Sequence, residues 1–338
     1  MATPYPLTAQ TAYSDLLDRL QDDALAALGG TPQCRRVRGR AYWYLKRRVG
    51  DRHIESYLGP DSPELRDRIE KERAGATDLR ARERERGKLV RMLRQAGYPT
   101  TDAQTGKILA ALAKAGAFRL RAVLVGSHAY NCYPAVLGRP LSAARTEDID
   151  VAQHQAISIA LDDALDPDFE AVLQTIEAFQ PRPSPRDRAK ASAWRGKSGA
   201  AVELLTTMQK PTEALVELPA LRAHAQPLHF LDYLIHEAMP AALLYRYGVL
   251  VSVPQPARYA LHKLIVAPRR AAKDAHKAAK DIAQAAELIV ALAEDRPDEL
   301  EAALEEACGR GEKWRSALAK GAKRLPKHAA VGLQTVTS

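Results

Sequence analysis

Two carboxylates separated by one apolar residue lie near the middle of the chain, at Asp148-Ile149-Asp150. Side chains on a β-strand alternate between the two faces of a sheet, so Asp148 and Asp150 are expected on one face and Ile149 on the other, in a core. Carboxylate oxygens are the ligands that hard divalent cations such as Mg²⁺ prefer. The spacing therefore favours a cation site on one face of a strand.

A Gly-Ser pair precedes these acids, at the end of an apolar segment. Residues 122–125 predict a short buried strand, and Gly126-Ser127 follows it at the predicted start of a helix. A helix N-terminus presents backbone N–H groups, and glycine allows a phosphate to approach closely. We therefore expect Gly126 and Ser127 to hold phosphate groups. The next residue, His128, is expected either to pack in the first helical turn or to contact a nucleotide.

A third acid is predicted in a neighbouring strand, because residues 200–206 indicate a buried strand with Glu203 in its middle. Burying an unpaired carboxylate is costly, so Glu203 is expected to bind a cation; the alternative is a solvated face or a nearby arginine. Carboxylates beside a phosphate site are typical of metal-assisted phosphoryl transfer. Asp148, Asp150 and Glu203 are thus the predicted ligands of Mg²⁺ or Mn²⁺.

The composition of the 338-residue chain narrows the class of protein. It has no apolar run of about 18 residues, the length that a transmembrane helix needs, so no membrane partner is expected. Its first residues lack the layout of a signal peptide, and its three cysteines are scattered. These features predict a cytoplasmic protein without a structural zinc site.

The net charge of +9 is concentrated in two regions. Residues 33–97 contain 19 Lys/Arg and 10 Asp/Glu, and residues 309–327 contain seven basic residues and one acidic residue. Such flanks favour a polyanionic partner, most plausibly nucleic acid, although solubility and ion pairs on helix surfaces explain them as well.

Within the first basic region, residues 38–59 predict a β-hairpin in which aromatic and basic residues interleave. Such a hairpin could contact the phosphates of a nucleic acid and stack on its bases. In the alternative interpretation the aromatic rings pack the hairpin onto its neighbours. The candidate nucleic-acid-binding residues are Arg38, Arg40, Tyr42, Tyr44, Lys46, Arg47 and Arg48.

The strands and helices together predict an α+β protein in three parts. Residues 1–116 form a basic N-terminal extension with a helix, the hairpin and long charged helices. Residues 117–235 form the core around the acids, with a loop from 180 to 198 that enters a strand near Trp194. Residues 236–338 form a helical C-terminal domain, apart from a short strand at 249–253.

The motifs resemble those of a known superfamily. Gly126-Ser127, Asp148-Ile149-Asp150 and Glu203 are similar to the signature of nucleotidyltransferases of the DNA polymerase beta-like superfamily. The wider chain resembles a group of uncharacterised bacterial nucleotidyltransferases. It is more distantly similar to abortive-infection toxin nucleotidyltransferases, which carry a Lys on one C-terminal helix and Lys-Asp on the next. Lys263 and Lys280-Asp281 occupy similar places here.

The resemblance implies a small mixed sheet with flanking helices and a role for each motif. Gly126 and Ser127 would hold the β- and γ-phosphates. Glu203 would also help to deprotonate the acceptor. Lys263 would neutralise charge on the phosphates, unless it is a surface lysine. Asp281 could orient Lys263 or Lys280, but an i,i+4 pair with Lys277 is the favoured interpretation.

The chain departs from the superfamily in one connection. Twenty residues separate Ser127 from Asp148, about twice the usual number for that superfamily, which suggests a longer helix or a loop inserted at residues 139–145. Such a loop could lie over the nucleotide, with Arg139 or Arg145 touching phosphate. On the other side of the site, Trp194 and Arg195 could clamp a base, with core packing as the alternative.

The predicted activity is metal-dependent transfer of a nucleoside monophosphate from an NTP to a hydroxyl group, with release of pyrophosphate. The basic flanks favour RNA, for example a tRNA end, as the acceptor. A protein hydroxyl or a small molecule such as an aminoglycoside fits the same core. A nucleic-acid-binding module with a degenerate transferase core is the alternative from another class, and toxin and housekeeping roles both stay open.

Overall fold

The computed structural model describes residues 3–26, 31–49, 52–74, 79–142, 148–161, 163–184, 187–209 and 214–336. Its N-terminal part contains three helices and an antiparallel sheet. The helices are α1 (Leu7–Ala26), α2 (Pro63–Ala74) and α3 (Leu79–Gln95). The sheet has the order β1 (Thr31–Val37), β2 (Arg40–Val49) and β3 (Arg52–Pro60).

The predicted hairpin is present, and β1 extends it to three strands. A two-residue turn, Arg38-Gly39, joins β1 to β2 with both residues at positive φ, 50° and 81°. This backbone conformation matches the twist of the two strands that it connects. The sequence does not show β1 because nearly all of its residues are exposed, so it lacks the alternation of a half-buried strand.

Helix α4 (Ala103–Ala115) leads into the central sheet. Asp102 caps its start, accepting hydrogen bonds from the backbone N–H groups of Gln104 and Thr105, and Gly116 ends it in the left-handed conformation. Its apolar face is buried in the core at Ile108 and other positions. The helix therefore fixes where the first central strand begins.

The central sheet is mixed, with seven strands and four short helices in its connections. Its strands are β4 (Val123–Val125), β5 (Asp148–Gln153), β6 (Phe179–Pro183), β7 (Ala191–Gly196), β8 (Ala201–Thr207), β9 (Val216–Leu218) and β10 (Ala223–Leu228). The helices are α5 (Gly126–Tyr130), α6 (Tyr133–Val136), α7 (Gln155–Ala160) and α8 (Phe169–Gln174).

The strand order is β4-β5-β8-β10-β9, and β7 pairs with both β6 and β8. Strand β8 runs parallel to β5 and to β10, and the other pairs are antiparallel. The segment predicted as a loop at residues 180–198 thus contributes two strands, β6 and β7. The sequence did not predict β6, because this strand contains prolines and an arginine and is exposed at four of its five positions.

The C-terminal part begins with α9 (Leu231–Ile235) and a hairpin of β11 (Met239–Leu243) and β12 (Val249–Val253). Five helices follow: α10 (Pro256–Val266), α11 (Ala275–Asp295), α12 (Pro297–Gly309), α13 (Glu312–Ala322) and α14 (Lys327–Thr335). The prediction that residues 238–244 are helical was wrong. A short apolar run has no periodicity that separates a buried strand from a buried helix, and the pairing with β12 decides it.

One hydrophobic cluster joins α4, the central sheet and the C-terminal helices, from Ile108 to Val336. A second cluster packs α1 against α3 and includes Ala242 and Leu244. The fold is α+β with C-terminal helices, as predicted; the division at residues 116 and 235 stays a prediction. No helix in the described ranges is long and apolar enough to span a membrane.

We expect the buried residue between the two carboxylates to anchor the strand. Ile149 is 0% exposed, so Ile149→Ala should lower the free energy of unfolding by about 2–5 kcal/mol through lost burial and the cavity that it leaves. Ile159→Ala is the matched control because Ile159 is 63% exposed, and it should change stability by less than about 0.5 kcal/mol. Denaturant unfolding measures both; equal effects would show that Ile149 does not anchor the strand.

Candidate active site

The register of two parallel strands brings the predicted acids together. Asp150 on β5 lies beside Glu203 on β8, and Asp148 lies beside Ala201. Because the paired residues of neighbouring strands share a face, all three carboxylates lie on one side of the sheet. Ile149 and its partner Val202 lie on the other side and are fully buried.

Asp150 lies next to both of the other acids on this face of the sheet. Burial, together with the charges of Glu203 and Asp148, raises the pKa of its carboxyl group to about 7, although Lys263 and Lys280 act in the opposite direction. Two neighbouring carboxylates at partly buried positions repel each other when both are ionised. This face of the sheet therefore favours a bound cation.

The donor set fits a hard divalent cation. It consists of three carboxylates on one face, and it contains no thiolate, which would suit softer metals. In the described part of the chain, no group of three or more His, Cys, Asp or Glu side chains is already closed around a common point. The register of the strands therefore brings the acids onto one face of the sheet. Asp148, at the start of β5, is exposed.

Gly126 lies directly against the carboxylate of Asp150. Its φ of +66° belongs to the left-handed region, and a Cβ atom at this position would overlap Oδ2 of Asp150. The pairing of Val125 with Asp150 holds the end of β4 in this place. The glycine is therefore required by the acid beside it, in addition to the phosphate approach that the sequence suggested.

Ser127 and His128 follow in the first turn of α5, and both are buried. The Lys280 ammonium donates a hydrogen bond to Oγ of Ser127 at 3.0 Å. Burial lowers the pKa of His128, although the charges of Asp102 and Asp148 act in the opposite direction. Among the described residues, the buried Nε2 of His128 has no hydrogen-bond partner.

Lys263 belongs to a buried ion-pair network with Asp281, the less favoured of the pairings that the sequence allowed for this acid. Its Nζ donates to Oδ1 of Asp281 at 2.6 Å, and Arg270 binds the other oxygen of the same carboxylate. Burial alone would raise the pKa of Asp281, but Lys263 and Arg270 together lower it. The favoured i,i+4 pair of Asp281 with Lys277 was wrong, since Asp281 is fully buried and faces α10.

Tyr259 is a site neighbour that sequence reasoning missed. Its hydroxyl group is 2.9 Å from the carbonyl oxygen of Gly126 and 3.1 Å from Oε1 of Gln284, and it can donate to either. Its ring lies 5.1 Å below Nζ of Lys263. The signal available in the sequence was its position one helical turn before Lys263, which places both side chains on one face of α10.

Arg195 lies on the acid face, two strands away from Asp148. It pairs with Ala201 on β8, which in turn pairs with Asp148, and its side chain is exposed. Trp194 points to the opposite face, where it is buried and donates from Nε1 to Oε2 of Glu170 at 2.9 Å. Core packing, the second of the two predicted roles, is thus the one that Trp194 has.

The long connection between Ser127 and Asp148 contains the two arginines proposed as phosphate contacts. Arg139 is buried and donates to Glu294 at 2.8 Å and to Asp295 at 2.9 Å, so its guanidinium ties the connection to α11. These two acids engage its guanidinium group, and a phosphate contact at Arg139 or Arg145 stays a prediction. Arg145 lies outside the described residues.

The candidate nucleic-acid-binding residues of the N-terminal sheet differ in how exposed they are. Arg38 and Arg40 are exposed, and Tyr42 and Lys46 are partly exposed. Tyr44 is buried and packs edge-on against Tyr57, which leaves no free ring face for a base. The side chains of Arg47 and Arg48 lie outside the described part of the structure.

Asp281, the buried carboxylate between Lys263 and Arg270, should contribute to the stability of the fold. Asp281→Ala leaves Lys263 buried without its partner and should lower the free energy of unfolding by about 3–5 kcal/mol. Lys277→Ala, at an exposed position of the same helix, should change it by less than about 0.5 kcal/mol. Denaturant unfolding distinguishes the two pairings, because a large loss for Lys277→Ala alone would support the i,i+4 pair.

Known proteins resemble the chain in two regions. Residues 13–67 match a domain of unknown function, DUF6788, and residues 103–309 match a family described as Nucleotidyltransferase. No curated protein resembles the chain closely enough to count as a relative.

One similar solved structure is an antigenic nucleotidyltransferase-like protein from Paracoccidioides brasiliensis. It is 16% identical, with a TM-score of 0.31, over 66% of this chain and 95% of that chain. The family match itself spans more than half of the sequence and contains the Gly-Ser pair, the three acids and Lys263. The chain therefore belongs to the nucleotidyltransferase family, whose enzymes transfer a nucleoside monophosphate.

Proposed function

We propose that this enzyme uses Mg²⁺ or Mn²⁺ to transfer the nucleoside monophosphate of an NTP to a hydroxyl group of RNA, releasing pyrophosphate. The observation that carries the proposal is the pairing of Asp150 with Glu203 on the face where Gly126 closes against Asp150. This arrangement supports the proposal because the candidate metal ligands lie next to the backbone that would hold phosphate. An NTP bound with a divalent metal needs both.

The metal would be held by Asp148, Asp150 and Glu203. When bound, it neutralises charge on the phosphates and lowers the pKa of an attacking hydroxyl group. The raised pKa of Asp150 supports this assignment, since a carboxylate that is costly to ionise alone gains most from a cation. Family membership agrees with it, because nucleotidyltransferases generally use a divalent metal.

The triphosphate would lie over the start of α5. Gly126 and Ser127 supply the backbone amides, and Lys280, which contacts Ser127, supplies a positive charge at the same place. Lys263 would stabilise the charge that develops on the leaving pyrophosphate. His128, through its unpartnered Nε2, Arg195 on the acid face and Arg145 are the proposed nucleotide contacts.

The chemistry is a substitution at the α-phosphorus. The acceptor oxygen forms a bond to the α-phosphorus, and the bond from that phosphorus to the oxygen bridging to the β-phosphate breaks. Pyrophosphate leaves with that oxygen. Glu203, as the third acid, would accept the proton of the acceptor hydroxyl group directly or through water.

RNA is the proposed acceptor because the protein carries a net charge of +9 with its excess in two flanking regions. In the N-terminal sheet, Arg38, Arg40, Tyr42 and Lys46 offer accessible contacts, with Arg47 and Arg48 on the same strand. The resemblance to abortive-infection toxins makes tRNA the first RNA to test, and a cytoplasmic location fits such an acceptor.

The test is incubation of the protein with each α-labelled NTP, MgCl₂ and total RNA or protein extract. Label should enter the RNA pool, and Asp148→Asn, Asp150→Asn and Glu203→Gln should each slow incorporation by about 100-fold or more, as expected when an electrostatic stabiliser of the transition state is lost. Glu217→Gln, an exposed acid on β9, is the control and should leave the rate unchanged.

Two outcomes would contradict the proposal. Absence of label in every pool with every NTP would overturn the assignment of nucleotidyl transfer to this site. Label confined to the protein pool would retain the transfer and overturn RNA as its acceptor.

A further inference from the structure

Exposed basic residues from two separate segments meet on the C-terminal helices. The first segment, residues 267–280, consists of the connection between α10 and α11, with the short 3-10 turns Ala267–Arg269 and Ala272–Asp274, and the first turns of α11. The second is α13 with the residues that follow it. We name six of the exposed basic residues of these segments the C-terminal basic surface: Arg269, Lys273, Lys277, Lys320, Lys323 and Arg324.

Direct contacts hold the two segments together. Nη1 of Arg324 donates to the carbonyl oxygen of Ala267 at 3.5 Å. Gly321 packs on the backbone of Leu264 so closely that a Cβ atom would overlap the Leu264 carbonyl. The end of α13 therefore rests on the end of α10, beside Lys263. Basic residues that are about 50 positions apart in the sequence form one patch.

This patch continues into the candidate active site. Arg270, in the same connection, binds Asp281, which holds Lys263, and Lys280 at the other end of the segment donates to Ser127. Ser127 directly follows Gly126, which lies against the carboxylate of Asp150. An unbroken series of contacts thus leads from the acids to the exposed basic residues.

Acidic side chains of the protein do not neutralise the positive charge of this surface. Residues 267–280 contain five Lys/Arg and one acid, and residues 313–327 contain six Lys/Arg and no acid. Within the described residues, Lys273, Lys320 and Lys323 form no ion pair, whereas Arg258 and Arg310 on the neighbouring helices are paired with acids. An exposed, uncompensated patch of this sign attracts a polyanion.

The N-terminal basic sheet contacts the central sheet at a different place. The backbone N–H of Tyr57 donates to Asp163 at 3.3 Å, and Arg119 binds both Asp163 and the Tyr57 carbonyl oxygen. Arg119 precedes β4 and Asp163 follows β5, whereas the acids lie where β5 begins. Since β4 and β5 are antiparallel, this junction and the acids lie at opposite ends of the strand pair.

We propose that the C-terminal basic surface binds the phosphate backbone of the RNA acceptor and directs its terminal hydroxyl group to the acids. The proposal rests on the proposed function and adds the place where the acceptor lies. It assigns the N-terminal sheet at most a secondary contact. A protein acceptor is disfavoured because residues 267–280 and 313–327 together carry eleven Lys/Arg and one acid, an excess of charge that suits a polyanion.

The test uses the full-length triple variant Lys273→Ala/Lys320→Ala/Lys323→Ala. Binding of a labelled single-stranded RNA is followed by fluorescence anisotropy from about 50 to 200 mM salt, and the slope of log K against log salt should fall by about 2, or about 0.7 for each lost phosphate contact. The Michaelis constant for RNA in the transfer assay should rise by about tenfold, because three charge contacts are lost.

The matched control is Lys88→Ala/Lys107→Ala/Lys114→Ala, which removes three exposed lysines from α3 and α4. It changes the net charge equally and should leave the salt slope and the Michaelis constant close to those of the wild-type protein. All six lysines are exposed, and equal melting temperatures of the three proteins would verify that folding is intact.

Two results would overturn the inference while the proposed function stands. In the first, the surface variant transfers label to RNA with an unchanged Michaelis constant and salt slope. In the second, both triple variants lose RNA binding equally, which would indicate a general charge effect. Loss of the proposed function looks different: the wild-type protein would use no NTP at all, while the binding measurement would still report whether RNA occupies the surface.

Discussion

The repulsion between two neighbouring carboxylates is the constraint on which the rest of this structure depends. Asp150 and Glu203 lie side by side because β5 and β8 are parallel and in fixed register, and Ile149 and Val202 bury the opposite face. Neither carboxylate can move away without exposing that core. The fold therefore keeps negative charge concentrated at the position where Gly126 closes against it, and positive charge must be supplied from outside the sheet.

The C-terminal helices supply that charge, which makes them part of the site. Asp281 holds Lys263 and Arg270 in place, and Lys280, the neighbouring residue of α11, reaches Ser127. Tyr259 adds a hydrogen bond from α10 to the Gly126 carbonyl oxygen. The sheet contributes the acids and the helices contribute the cations, so the site exists only where the two parts pack together. The same helices continue outward into the exposed residues of the C-terminal basic surface.

Local patterns in the sequence were enough to predict the acid face. Alternation along a strand fixes Asp148, Ile149 and Asp150, and a cap residue with a following apolar face fixes α4. Partners that are distant in the sequence could not be predicted. Asp281 has Lys277 at a plausible spacing, and only the packing of α11 against α10 shows that it turns inward instead. In the same way, residues 238–244 and β6 became strands through pairing with neighbours that no local pattern specifies.

Asp148, Asp150 and Glu203 are proposed to bind a divalent cation together with a nucleotide. Titration with Mn²⁺ in the presence of a non-hydrolysable NTP analogue, followed by electron paramagnetic resonance of the free ion, tests it most directly. Asp150→Asn and Glu203→Gln should each weaken Mn²⁺ binding by at least about tenfold, the smallest effect expected even for residues that only support a metal ligand. Asp187→Asn, in the loop between β6 and β7, should bind Mn²⁺ as the wild-type protein does. Equal Mn²⁺ affinity in all four proteins would contradict the claim.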